Sequence, residues 1–420
     1  MKLSKVFIIS LCALCTVVLV HYPVGAQQTS QKPLENVFTL ELSFGDKDVP
    51  SEYLLANPQR SAVVNNAGDI YVFDEYKIKV FDKNGKPKAI FGGRGEGPGE
   101  FNNFWGLNIS PTGFLTITEL QSCSIFSPAN KFIVKNRYLS SAVFNTLKNE
   151  YKFSYGAGLG SISDIVALSD KVFIIAGNNA TLDNYNEAEE YYDYLFYADK
   201  DIVTVIAKYR NVSTFMYKTG GGGGRMGIGL VGNFRFAVLP DSRILYTHTC
   251  HDVKYTSNTA QLTFHIISPE KNMKSEFSFT YKPEAIPDSD IESYEPSTVE
   301  KRNNESAKRM NQTPSKMSEE QKKMYNDIVN LLKQKKYLPL FTAMQSDGVY
   351  LFLRCRTSDN KMSLIRVINA EIGKEVSNFI QSSNFVIYII KNGYAYLSTT
   401  PKDGYPIVEK YRIDPRVYGK

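Results

Sequence analysis

The sequence is poor in the residue types that most often announce chemistry. Among 420 residues there are four His, one Trp and five Cys. Cys12 and Cys15 sit in an apolar stretch near the start, which leaves Cys123, Cys250 and Cys355 for the body of the chain. Their spacing gives neither paired zinc ligands nor an even disulfide framework, so one disulfide or three buried thiols stay open. No serine nucleophile elbow occurs, and no glycine-rich stretch ends in the Gly-Lys-Ser/Thr that a phosphate loop needs. Beyond residue 26 no apolar run approaches the roughly 18 residues of a membrane span. The formal charge of +6 drops to +4 without Lys2 and Lys5, and a Lys/Arg excess between 299 and 337 accounts for what is left. That balance argues against nucleic acid as a partner.

Aromatic residues are plentiful. With 27 Tyr and 25 Phe, 43% hydrophobic and 22% charged residues, the composition is globular. It favours strands, because flat rings pack well on a pleated surface. Residues 1–26 read as a processing signal: Lys2 and Lys5, an apolar run from Val6 to Val20, then Val24-Gly25-Ala26 before Gln27. Cys12 and Cys15 each follow Leu, whereas lipid attachment wants a small residue there, so the expected product is soluble and exported to the periplasm or beyond.

A repeat organises residues 27–420. A turn followed by a short apolar strand recurs as NAGDIYVFD (66–74), PTGFLTITE (111–119), LSDKVFIIA (168–176), PDSRILYTH (240–248), SDGVYLFLR (346–354) and KNGYAYLST (391–399). Turn residues that tolerate positive φ, with a strand on each side, make every copy a hairpin. A third strand follows each time, from KIKVFDKNGK to VEKYRIDPR, and a fourth follows in the first five copies. Gly68 and Gly113 are 45 residues apart, as are Gly348 and Gly393. Four-stranded units of that length predict an all-β, six-bladed propeller forming a single domain. The sixth copy lacks an outer strand while VFTLELSF (37–44) has no partner, so the N-terminal strand is expected to close the ring. Residues 283–339 interrupt the pattern. Ser318 with Gln321 forms a capping box, and Met324, Ile328, Leu331 and Leu332 share one helical face, predicting a covering helix. The polar lead-in, 288–315, reads as loop.

NAGDIYVFD, IKVFDKNG (78–85), the glycine-rich FGGRGEGPGEF (91–101) and WGL (105–107) together resemble the NHL-type propeller repeat over roughly 60 residues. The whole chain resembles the six-bladed TolB-like propellers that bacteria export. The resemblance implies fold and setting; it assigns no reaction.

In such a ring the turns after the second strands and the crossings between blades open on one face. The column six residues beyond each turn glycine or its equivalent holds Asp74, Glu119, Ala176, His248, Arg354 and Thr399. Arg60, Trp105 and Arg235 near the inner-strand starts, and Arg94 and Glu96 in the glycine-rich crossing, are expected at the same mouth. Such groups suit a pocket that orients a ligand. A polar strand end on a solvated rim is the plainer alternative. His248, Cys250 and His251 invite a metal reading, but alternation lets only two share a face, and zinc would need a carboxylate such as Asp74 or Glu119. Calcium held by loop carboxylates is less constrained. TGGGGGRMGIG (219–229) reads as a flexible connection into the fourth blade. The expectation is a non-catalytic propeller binding a protein or glycan. The alternative is a lactonase-like hydrolase or lyase using a metal, or His248, Glu119 and Arg354 as acid, base and anion clamp.

Overall fold

The computed structural model describes residues 20–21, 32–46, 49–119, 122–136, 141–153, 162–179, 190–219, 222–313, 316–357, 361–382, 385, 387, 389–401 and 404–420. The leader read at 1–26 lies outside these, apart from Val20–His21, which pair parallel with Ser275–Glu276.

Six antiparallel blades follow one another around a ring. They span Pro58–Gly92, Phe104–Asn136, Ile162–Arg210, Phe234–Tyr281, Ala343–Ser382 and Ile389–Ile413. The sixth has three strands of its own, and Phe38–Phe44 supplies the fourth by pairing antiparallel with Val408–Ile413. Joining the two ends of the chain in one sheet leaves no blade half-built at the closure, as the unpartnered N-terminal strand required. The fourth blade carries two extra strands, Val253–Tyr255 beside its third and Val20–His21 beside its fourth.

Burial on both faces explains why the second strand of blade one, Ile70–Asp74, is apolar up to its last residue instead of alternating with polar residues. In Ile70–Asp74 every residue is buried. Ile70 and Val72 pack with Tyr396 and Val408 of blade six, while Tyr71 and Phe73 pack with Leu115 and Ile117 of blade two. Successive side chains point to opposite faces of a strand, and in a propeller each face meets another blade. Six separate cores result, one per seam.

The hairpin turns stitch the blades together on one face. Asn66 Nδ2 donates to the Pro111 carbonyl (2.8 Å), and Thr112 Oγ1 to that of Leu168 (2.7 Å). Asp347 accepts the N–H groups of Asn392 (2.7 Å) and Gly393 (2.8 Å), and Asn392 Nδ2 reaches back to the Asn65 carbonyl (3.2 Å). Turn residues chosen for their backbone angles thus also satisfy buried or half-buried polar groups of the next blade.

The opposite face carries the crossings between blades, and several are enlarged. Helix α1 (Ser141–Tyr151) follows blade two, with Val143 and Leu147 buried in the seam between blades two and three. A hairpin, Thr214–Thr219 with Gly222–Gly227, follows blade three. Helices α2 (Asp288–Glu292), α3 (Pro296–Arg309) and α4 (Glu319–Lys335) follow blade four. Gly222–Gly227 of the glycine-rich stretch is therefore a paired strand, where a flexible connection was expected. A Cβ on Gly224 would lie 2.4 Å from the Tyr217 ring, so a bare backbone lets that ring lie across the strand. The lead-in read as loop forms α2 and α3; Pro296 at the first turn of α3 and Val299 buried beneath it explain why. Helix α4 starts with the capping box of Ser318 and Gln321 and buries Met324, Ile328, Val329 and Leu332. Met324, Ile328 and Leu332 pack with Phe215, Tyr217 and Met226 of the hairpin. Hairpin and helices form one cap above blades three to five, with a core of its own.

Candidate functional site

The column expected at the mouth divides into two groups. Asp74 is fully buried. Its carboxylate accepts the N–H groups of Ala56 (3.1 Å) and Asn57 (2.7 Å), just ahead of the inner strand of its own blade, and pairs with Lys79 at 2.7 Å. Glu119 repeats the arrangement in blade two. It accepts the N–H of Asn102 (2.8 Å) and the Ser122 hydroxyl (2.9 Å) and pairs with Lys135 at 3.2 Å. In blade four Thr249, one residue past His248, does the same for Asn233 (2.9 Å). The acids at the ends of these second strands clamp the start of an inner strand, and each spends its charge on a lysine. Only the second residue of each pair, Lys79 or Lys135, distinguishes a clamp from a ligand contact, and a separation of five or sixteen positions hides it in the sequence.

His248 is also fully buried. Nδ1 accepts the Cys250 N–H (3.2 Å), so the ring proton belongs on Nε2, which points toward Asp193 at 3.5 Å without a hydrogen bond. Asp193 is held from the other side by Asn211 (2.7 Å). All three histidines beyond the leader gather in this seam between blades three and four. The His251 ring faces Tyr209, and its Nε2 lies 2.7 Å from the Arg210 carbonyl. Burial and the neighbouring His248 hold His251 below its ordinary value. Asp252 is the hub, accepting the His248 N–H (2.6 Å) and the Tyr209 hydroxyl (2.9 Å). Burial works against its charge, yet hydrogen bonds from His265, the His248 amide and Tyr209 outweigh that and keep Asp252 below the usual carboxylate range. His265 stands between Asp252 (3.4 Å from Nε2) and Glu276 (3.3 Å from Nδ1). Two carboxylates on opposite ring nitrogens cannot share one metal ion with it. Among the described residues no three His, Cys, Asp or Glu side chains are grouped to hold a metal.

Arg235 is a strut: its guanidinium donates to the carbonyls of Phe234 (2.9 Å) and Thr342 (2.7 Å), tying blade four to the start of blade five. Burial lowers its pKa.

Of the remaining candidates, Arg354, Thr399, Trp105, Arg94 and Glu96 reach solvent. Arg354 and Thr399 are half-buried, and neither side chain has a hydrogen-bond or ion-pair partner among the described residues. Trp105, the single tryptophan, is 63% exposed at the start of the inner strand of blade two. Arg94 lies over the Tyr76 ring, 5.2 Å from its centre. Glu96 accepts from Asn102. Arg60 lies in the inner strand Pro58–Val64, and its side chain is outside the description. The glycine-rich crossing is shaped by packing: a Cβ on Gly92 (φ +93°) would stand 2.4 Å from the Phe101 ring, which is buried in the first seam. Its consequence is to hold Arg94 and Trp105 on the half of the face that the cap leaves open.

A cleft of about 1010 Å³ lies on the opposite face between blades three, four and five. Asp241, Arg243 and Glu371 at its edge are already paired with one another, and its charged lining is balanced in sign.

No family model matches the sequence, and no curated protein does. Several solved structures are similar along most of the chain. A Bacteroides fragilis protein described as exported is 13% identical, with a TM-score of 0.44, over 92% of this chain and 98% of that one. A member of the DUF4221 family from Bacteroides vulgatus is 10% identical, with a TM-score of 0.44, over 90% of this chain and 98% of that one. An oligogalacturonate lyase in complex with manganese is 12% identical, with a TM-score of 0.37, over 92% and 99%. Among the described residues no helix is long and apolar enough to cross a membrane.

Proposed function

We propose that the chain is an exported propeller of the NHL-like or TolB-like kind, freed from its leader near Ala26, that binds a protein or glycan without catalysing a reaction. The contact surface is the uncapped half of the crossing face, centred on Trp105 with Arg94 and Tyr76 beside it, and Arg354 contributes a cation from the capped side. The observation that carries this reading is Trp105. A lone tryptophan left mostly in water on a rim is unfavourable for folding, whereas a flat apolar ring with a polar edge is what the faces of sugars and the anchors of protein partners stack against. The catalytic alternative finds less support: Glu119 is neutralised by Lys135, and His248 is fully buried with one ring nitrogen accepting a backbone amide.

Because Trp105 is the sole tryptophan, its fluorescence reports the site directly. Titration with a panel of oligosaccharides and extended peptides is expected to give a saturable blue shift for one class. Trp105→Ala should then weaken binding about tenfold or more, read by calorimetry, and Arg354→Ala several-fold. A panel ligand that binds the wild type and Trp105→Ala equally well would overturn the assignment.

A further inference from the structure

The cap is fastened to the ring at one point by an unusual pair. Lys335, in the last turn of α4, places Nζ 3.0 Å from Sγ of Cys250, in the turn after the second strand of blade four. Both ends are held firmly. A Cβ on Gly232 (φ +94°) would lie 2.8 Å from Cys250 Cβ, so that backbone fits closely against the cysteine, and His248 Nδ1 accepts the Cys250 N–H. On the other side Leu332 is fully buried one turn before Lys335, and Tyr337, two residues beyond, stacks on Tyr255 at 5.0 Å. The other two thiols of the body are different. Cys123 and Cys355 are buried, and burial pushes the Cys355 thiol up to about 12, whereas Cys250 remains half-exposed.

We infer that Cys250 and Lys335 form an oxidation-dependent covalent latch that locks the cap onto blade four. A peroxide supplies the oxidant. The Cys250 sulfur attacks one peroxide oxygen, an S–O bond forms as the O–O bond breaks, and water leaves, giving a sulfenic acid. The Lys335 amine, having lost its extra proton, then attacks that sulfur. An S–N bond forms, the S–O bond breaks, and the hydroxyl leaves as water with a proton from nitrogen. The product is a sulfenamide with two hydrogen atoms fewer than the reduced pair. A thiol reverses it by attacking sulfur and releasing the amine, and a second thiol frees the cysteine. The closed bridge would join residues 85 apart in sequence, a long loop whose constraint favours the folded state. The latch is independent of what the open half of the face binds.

The test treats the purified, folded protein with hydrogen peroxide, blocks remaining thiols and maps the digest by mass spectrometry. A linked peptide containing Cys250 and Lys335, lighter by two hydrogens and split by dithiothreitol, is the expected result. Lys335→Arg keeps the charge but lacks a nucleophilic amine. With its fold verified by circular dichroism, it should show no linked peptide and should carry oxygen on Cys250 instead. The oxidised wild type should melt a few degrees higher and exchange amide hydrogens more slowly in the last turn of α4, and Cys250→Ser should show neither change. Oxygenated Cys250 without the linked peptide in the wild type would refute the bridge. A bridge that leaves both melting and exchange unchanged would refute the lock.

Discussion

Replacing Asp74 by alanine distinguishes a clamp from a ligand contact. The carboxylate is fully buried, faces Lys79 at 2.7 Å and accepts two backbone N–H groups. Lys79 is itself 4% exposed at its side chain and has one other acceptor, the Leu54 carbonyl. Asp74→Ala therefore leaves a buried ammonium without a counter-charge. Removing one partner of a buried pair costs about 3–5 kcal/mol. The double variant Asp74→Ala, Lys79→Met removes both charges and leaves the amides of Ala56 and Asn57 and the Leu54 carbonyl without these partners, about 1–3 kcal/mol. The double variant should accordingly be the more stable of the two. Urea unfolding followed by far-UV circular dichroism at neutral pH measures both. A single variant within about 1 kcal/mol of the wild type, or a double variant less stable than the single, would show that the pair does not support blade one.

Two pH effects follow from other buried groups. Asp164, on the inner strand of blade three, is pushed up from 3.8 to about 6 by burial, against hydrogen bonds from Asn108 and the Ile165 amide. Such a raised acid favours the folded state below its ordinary value, and that contribution is lost as pH rises through about 6. Asp164→Asn should stabilise the protein at pH 7.5 by about 1–2 kcal/mol after allowance for partial solvent screening, and not at pH 4; equal effects at both would refute the assignment. His251 runs the other way. Held below 6.5, it supports the fold fully above that value, and the support fades as pH falls through its lowered folded pKa. His251→Gln should flatten the acid side of the stability profile between pH 7 and 5, which a wild-type profile already flat in that window would contradict.

The fold was legible because its signal is local and repeated. Turn residues such as Asn65–Gly68 and Asn392–Gly393, each followed by an apolar strand, announce a hairpin, and six such hairpins, each with a third strand after it, announce blades despite uneven spacers. The covering helix was legible for the same reason: Ser318, Gln321, Met324 and Ile328 lie within a few turns of one another. Helices α2 and α3 were not, since α3 buries a single residue, Val299, and its polar sequence resembles that of a loop. The mouth was harder still. Asp74 and Glu119 occupy the strand ends where the pattern places them, but alternation along a strand says nothing of whether a carboxylate turns outward to a ligand or back to a lysine.

The sequence alone therefore determined the strand order, the number of blades and the closing role of Phe38–Phe44, because each depends on residues close together or on one unmatched segment. Tertiary structure decided which charges are free. Lys79 reaches Asp74 across one pair of strands, Lys135 reaches Glu119 from the outer strand, and His248, His251 and His265 meet through Asp252 and Tyr209 only once blade three lies against blade four. The same packing left Trp105 and Arg354 outside those pairings, since among the described residues no neighbouring blade or cap helix brings a hydrogen-bond or ion-pair partner to either side chain.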